Sequence, residues 1–294
     1  MGKKQFSVAV AATFLSLVHI VVSVPFIMLH GISAECSDHT NSNFPRLLSN
    51  LSGSRGSCVE IGNGKSDSWL MPLTKQVEIV CDKVKQMKEL RLGYNIVARS
   101  QGNLVARGLI EFCDDGPPVY NYVSLAGPHA GESSVPFCGC YEWCDIADKL
   151  MEKNIYSDFV QESLFLVSQD ISEYMKSSKY LPKLNNEIPN ERNSTYKERF
   201  TRLKNLVLIM FQNDTVIVPK ESSWFGFYQD GNYTSQPPLL SAQQTKLYTE
   251  DWIGLKTLDV AGKVKFVSLP GGHLQIATTD VIKYVVPYLQ NQPS

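Results

Sequence analysis

Apolar residues in this chain fall into short runs separated by amphipathic stretches. Continuous apolar runs at 24–29, 58–61, 94–98, 119–125, 206–211 and 264–269 read as buried strands. Between them lie stretches with helical spacing. The clearest is 72–90, where Leu73, Val77, Val80, Val84, Met87 and Leu90 recur at steps of three and four and Gly93 follows as a stop. Segments 43–51, 103–112 and 281–289 also read as helices. Strands alternating with helices predict an α/β fold on a mostly parallel sheet. From about 133 to 196 the rhythm breaks into helical stretches such as 156–166 and a polar tract. This part is expected to be a largely helical insertion, a cap over the sheet edge, within a single domain spanning 24–294.

The first apolar run differs from the rest. Residues 6–24 are almost wholly apolar and follow Lys3 and Lys4, which is the form of a secretory signal peptide. Cleavage is expected near Ser23, leaving 1–23 as the signal peptide. No second run of about 20 apolar residues suggests a membrane span. Four N-x-S/T sequons, at Asn50, Asn193, Asn213 and Asn232, fit a glycoprotein of the secretory pathway. The 28 Lys and Arg against 29 Asp and Glu, net −1, give no electrostatic footprint for nucleic acid. In an oxidising compartment, seven cysteines predict disulfides with one residue left over.

Candidate chemistry centres on Ser100, in Ala98-Arg99-Ser100-Gln101-Gly102 between a predicted strand and helix. This is the context of a nucleophile elbow, with Ala98 in place of the first glycine. A serine nucleophile needs a base, an orienting acid and an oxyanion hole. In α/β-hydrolases the order along the chain is serine, acid, histidine. Asp214 follows the 206–211 strand, and His273 follows the 264–269 strand in Pro270-Gly271-Gly272-His273. The other histidines are His19, in the signal peptide, His30, His39 and His129. His30 and His129 are expected to be structural. Backbone N–H groups of Gln101 and Ile32 are the expected oxyanion donors. Arg99 is expected to point away from Ser100, into solvent or a salt bridge. Asp114-Asp115 reads as a solvated turn.

These residues resemble the palmitoyl-protein thioesterase family, lysosomal type, and most its plant-like members. The resemblance rests on His30-Gly31, Glu60-Ile61-Gly62, Gly93-Tyr94-Asn95, Ser100-Gln101-Gly102 and Gly127-Pro128-His129-Ala130-Gly131. It continues through residues 155–161, Asn213-Asp214-Thr215, residues 224–228, residues 247–251 and Gly272-His273-Leu274-Gln275. It implies an α/β-hydrolase, a soluble lysosomal or vacuolar glycoprotein that removes palmitate and similar acyl chains from cysteine thioesters. It assigns Ser100 as nucleophile, Asp214 as acid and His273 as base. A second Asp that the family carries shortly after the acid is Val218 here. It suggests a Cys81–Cys113 disulfide and a small loop closed at Cys144 by Cys138 or Cys140. Cys36–Cys58 is the expected third bridge. Cys138, Cys140 and Cys144 lack a fourth nearby ligand for zinc, so no metal and no cofactor are expected. Apolar residues of the insertion, among them Ile155, Phe159, Leu164, Phe165 and Leu166, are expected mostly as core, with an acyl site among them.

Two departures from the family pattern surround the reaction centre: Ala98, and the loop Ile32-Ser33-Ala34-Glu35-Cys36, in which a glycine is missing. Expected substrates are S-palmitoylated proteins or peptides, and the chain is expected to be a monomer in the lysosome, vacuole or extracellular space. An oxygen-ester lipase or esterase on the same fold and a non-catalytic lipid-binding glycoprotein remain the alternatives.

Overall fold

The computed structural model describes residues 23–133, 174–175, 178, 180–230 and 238–290. Its central sheet is built from β1 (Phe26–Leu29), β2 (Gly56–Cys58), β3 (Tyr94–Arg99), β4 (Val119–Leu125), β5 (Asn205–Phe211) and β8 (Val264–Leu269). The order is β2-β1-β3-β4-β5-β8 with every pairing parallel. A two-stranded ribbon, β6 (Phe227–Tyr228) with β7 (Leu239–Leu240), stands apart from it.

Side chains alternate across the sheet, as the two-residue period of a strand requires. Ile27, Ile96, Tyr122 and Leu208 face one apolar layer with α3 (Leu73–Gln86), α4 (Gly102–Phe112) and α6 (Ser194–Thr201). Phe26, Val97, Val123 and Ile209 face the other, with Leu48 of α1 (His39–Ser52) and Val281 of α9 (Thr278–Tyr284). Both faces are covered, which is why the strands read as unbroken apolar runs.

The predicted helix 103–112 is α4, but it is not amphipathic in the usual sense: Gly102–Glu111 is buried along its whole length. Arg107 and Glu111, a pair that spacing alone would place in solvent, are both fully buried and joined at 3.0 Å. Arg107 also donates to the carbonyl of Leu184 and to Asn185 Oδ1. A buried charge is tolerable only with such partners.

Other predicted boundaries shift for identifiable reasons. The strand expected at 58–61 is Gly56–Cys58; Val59 still donates to Met28, but Gly62 at φ +60° then turns the chain out of the sheet. The long helix ends at Gln86, and Lys88–Leu90 is a 3-10 turn. The closing helix is Thr278–Tyr284 followed by a 3-10 turn at Val286–Tyr288, where Pro287 has no N–H to continue the ladder. A short α2 (Lys65–Leu70) goes unseen in the sequence pattern. Of the expected insertion, the described part includes α5 (Leu181–Leu184) and the start of α6; the stretch 156–166 lies outside the described residues. The short α7 (Lys246–Thr249) and α8 (Leu255–Val260) complete the described helices. None of these helices is long and apolar enough to cross a membrane.

Candidate active site

Strand order reverses beside β1: β2 lies on one side of it and β3 on the other. Loops leaving the C-terminal ends of β1 and β3 therefore diverge and open a crevice. Ser100 sits at the tip of β3 with φ +51°, a left-handed conformation that costs a non-glycine residue about 1–3 kcal/mol. The sheet holds it there through the Ser100 N–H bond to Leu125 at 2.9 Å. The glycines around it sit where little or no room is left for a side chain. A Cβ on Gly102 would stand 2.3 Å from the His30 carbonyl, and one on Gly31 would stand 3.0 Å from Ser100 Cβ. Ala98, where the family has glycine, is fully buried between Leu29 and Ser124, and its methyl is part of the core.

Asp214 and His273 meet Ser100 from the ends of β5 and β8. The loops carrying them are tied together by the Asn213 N–H bond to Gly271 at 3.0 Å. Asp214 Oδ1 accepts from the backbone N–H groups of Val216 and Ile217 at 2.9 and 3.0 Å. That leaves Oδ2 for His273 Nδ1 at 2.8 Å, and His273 Nε2 lies 3.0 Å from Ser100 Oγ. The Asp214 side chain is buried, and the histidine is 14 % exposed. The three groups form a continuous hydrogen-bonded line, the imidazole giving one nitrogen to each neighbour.

The loop after β1 is fastened at both ends by Glu60. Its Oε1 lies 2.7 Å from His30 Nε2, and its Oε2 accepts the Cys36 N–H at 2.8 Å. The Ile61 N–H, 3.2 Å from Oε1 and 3.4 Å from Nε2, adds weakly to the same knot. Sulfurs of Cys36 and Cys58 are bonded, so the loop is also joined to the end of β2. Cys36, His30 and Glu60 cluster closely, yet the disulfide leaves no thiolate for a metal. Ser33 takes the place of the family's glycine and adopts φ +54°, the conformation glycine would take at lower cost. Within the described residues the N–H groups of Ile32 and Gln101 have no acceptor. His30 is fully buried in this knot.

Several features were not legible from the residue pattern. Glu132 is fully buried and, among the described residues, neither carboxylate oxygen has a hydrogen-bond partner. Burial, and then the charge of Asp214, push its carboxyl well above the usual glutamate range. Arg99 has no carboxylate partner among the described residues. It donates to Asn41 Oδ1 at 2.6 Å, lies over the Phe44 ring, and lines the same cavity of about 440 Å³ as Ser100 and His273. The expectation that it faces away into solvent or a salt bridge is thus corrected: α1 stands where solvent was expected. His129 is buried, bonded to Ser124 Oγ at 2.8 Å and stacked on Phe225. Burial, with Arg107 nearby, holds its imidazole well below the usual range.

Cys81 and Cys113 are bonded, tying α3 to the end of α4. Cys138, Cys140, Cys144 and Asn232, with Ile155, Phe159, Leu164, Phe165 and Leu166, lie outside the described residues. Asn50 and Asn213 are exposed, while Asn193 caps α6 by accepting the Thr195 N–H. Asp114 is exposed and pairs with Arg199, as a solvated turn would.

Strand order, the serine on its strained turn and the succession of serine, acid and histidine along the chain define an α/β-hydrolase. Comparison with known proteins narrows this. The chain belongs to the palmitoyl protein thioesterase family, whose model matches residues 25–273. It is 33% identical over 275 residues to palmitoyl-protein thioesterase 1 of Caenorhabditis elegans, covering 90% of each chain. It is 37% identical over 243 residues to palmitoyl-protein thioesterase 3 of Dictyostelium discoideum, covering 79% of this chain and 81% of that one. The lysosomal thioesterase PPT2 homolog of Drosophila melanogaster is 30% identical over 275 residues, 90% of this chain and 91% of its own.

Proposed function

We propose that this chain hydrolyses palmitoyl and similar long-chain thioesters of cysteine in S-acylated proteins or peptides. The observation that carries the proposal is the line from Asp214 Oδ2 through His273 to Ser100 Oγ, with contacts of 2.8 and 3.0 Å. His273 Nε2 takes the Ser100 proton as Oγ attacks the thioester carbonyl. Asp214 holds the proton on Nδ1 and stabilises the imidazolium. The negative oxygen of the tetrahedral intermediate is met by the Ile32 and Gln101 N–H groups. The C–S bond breaks, and His273 returns its proton to the departing thiolate. Water, deprotonated by the same histidine, then releases the fatty acid from Ser100. Each buried methylene of the acyl chain contributes ~0.8 kcal/mol, so a long chain supplies ample binding energy.

The relatives' names support the substrate class, since two are called palmitoyl-protein thioesterases. The Drosophila relative is called a lysosomal thioesterase. With residues 1–23 read as a signal peptide, this supports a secretory route to the lysosome, vacuole or outside of the cell. We take the chain as a monomer, glycosylated at Asn50, Asn193, Asn213 or Asn232. Neither a cofactor nor a metal enters the reaction as written.

The test is release of thiol from a palmitoyl-cysteine peptide beside an oxygen ester of the same acyl chain. Thioester turnover, lost by about 10⁴-fold or more in Ser100→Ala at unchanged Tm, is the expected result. Preference for the oxygen ester would assign the chain to the esterases. Absence of serine-dependent turnover on both would leave a lipid-binding protein.

A further inference from the structure

The cavity beside Ser100 has a chemistry that the acyl group does not explain. Its walls include Arg99, Asn41, Asp38 and His39 as well as Ser100 and His273. A long acyl chain seated there would strip water from these groups and give nothing back. His273 also lines this cavity, and it is the group that must hand a proton to the departing thiol. The leaving group, not the acyl chain, is therefore the occupant that suits it.

The charges in the cavity do not cancel. Asp38 is neutralised by Lys65 at 2.8 Å, and His273 is bonded to Asp214. His39 is exposed, its Nε2 accepting from Asn43. Among the described residues Arg99 is a cation without an anion: its hydrogen bond there is to Asn41 Oδ1, a neutral amide. Burial pushes the pKa of its guanidinium downward. Its side chain lines that cavity beside Ser100 and His273. A guanidinium placed over the Phe44 ring, with spare N–H groups in a fixed fork, is shaped for a carboxylate.

Resting on the thioesterase reading above, we infer that this cavity is the leaving-group subsite and that Arg99 makes it select peptides carrying a carboxylate close to the acylated cysteine. The carboxylate has two sources, an acidic side chain or a free peptide C-terminus. Asn41 acts as a positioning residue for the guanidinium.

The test uses the full chain and palmitoyl-cysteine peptides of one length. Three are amidated, with Glu, Gln or Lys next to the cysteine. A fourth carries Gln and ends in a free carboxylate. The readout is the ratio of kcat/KM values within each enzyme, so a general loss of activity cancels. Wild type is expected to favour Glu over Gln by about tenfold, and Lys least. The free-terminus peptide shows which source of carboxylate reaches the site. In Arg99→Gln the Glu-to-Gln ratio falls to near one, and in Arg99→Lys it is intermediate. Should the variants fail to fold, wild type alone suffices: the preference must shrink as salt rises, because it is electrostatic at a half-open site. Equal wild-type rates on all four peptides would overturn the inference while leaving the thioesterase reading intact. A Glu preference that persists in Arg99→Gln would overturn the role of Arg99. No turnover of any thioester would overturn both.

Discussion

Ser100, Asp214 and His273 were legible in the sequence because each follows a strand end and their order is restrictive. What surrounds them was less so. Glu60 shows why. It reads as the tail of a strand, yet its carboxylate fastens both ends of the loop that carries the Ile32 N–H. Nothing in residue type or spacing signals a contact across thirty positions. Glu60→Ala leaves the Cys36 N–H and the His30 ring without their carboxylate partner. A buried group left unpaired costs about 1–3 kcal/mol. If that loosening falls on the oxyanion donor, kcat drops about 10- to 100-fold with KM little changed. Glu60→Gln, which retains an acceptor for Cys36, should recover part of it. Steady-state kinetics on the two variants decides the matter; an equal rise in KM at constant kcat would remove Glu60 from the positioning role.

At the scale of elements, patterning found the strands and main helices but not why α4 sits so close to the early loop. Its first residue explains that. Gly102 lets the helix start against the carbonyls of His30 and Leu29, at distances that an added Cβ would reduce to 2.3 and 2.8 Å. Backbone atoms cannot swing aside as a side chain can. Gly102→Ala is therefore expected to cost on the order of 1–3 kcal/mol. At about 2–4 °C per kcal/mol in a chain of this size, thermal melting resolves it. An unchanged Tm would show that the loop yields freely and is not held as described. The buried Arg107–Glu111 pair marks the limit of periodicity: a helix enclosed on all sides looks like a surface helix in sequence until its neighbours are placed.

For the whole molecule, the parallel sheet brings its loops to one crevice, and that places groups together which no local pattern links. Glu132 and Asp214 are such a pair. Glu132 is buried without a hydrogen bond among the described residues, so the folded chain holds its proton more tightly than the unfolded chain does. Below the ordinary glutamate range both states are protonated and the group has no effect. As pH rises above that range, the unfolded chain ionises first and stability falls, until the folded group ionises too. Glu132→Gln removes this dependence. Its Tm advantage over wild type should be near zero in mild acid and grow toward neutral pH. His129 acts in the opposite sense, weakening the fold in acid, but it is common to both proteins and drops out of the difference. A gap that stays constant with pH would contradict this account of Glu132.

The central claim is covalent chemistry at Ser100. It is tested most directly by rapid acid quench of the chain mixed with excess palmitoyl-cysteine peptide, followed by mass spectrometry of the digested protein. The account predicts a palmitoyl group on the peptide containing Ser100, formed together with a burst of free thiol and absent in Ser100→Ala. Thiol released at the same rate by Ser100→Ala, with no acyl group on Ser100 of the wild type, would contradict it.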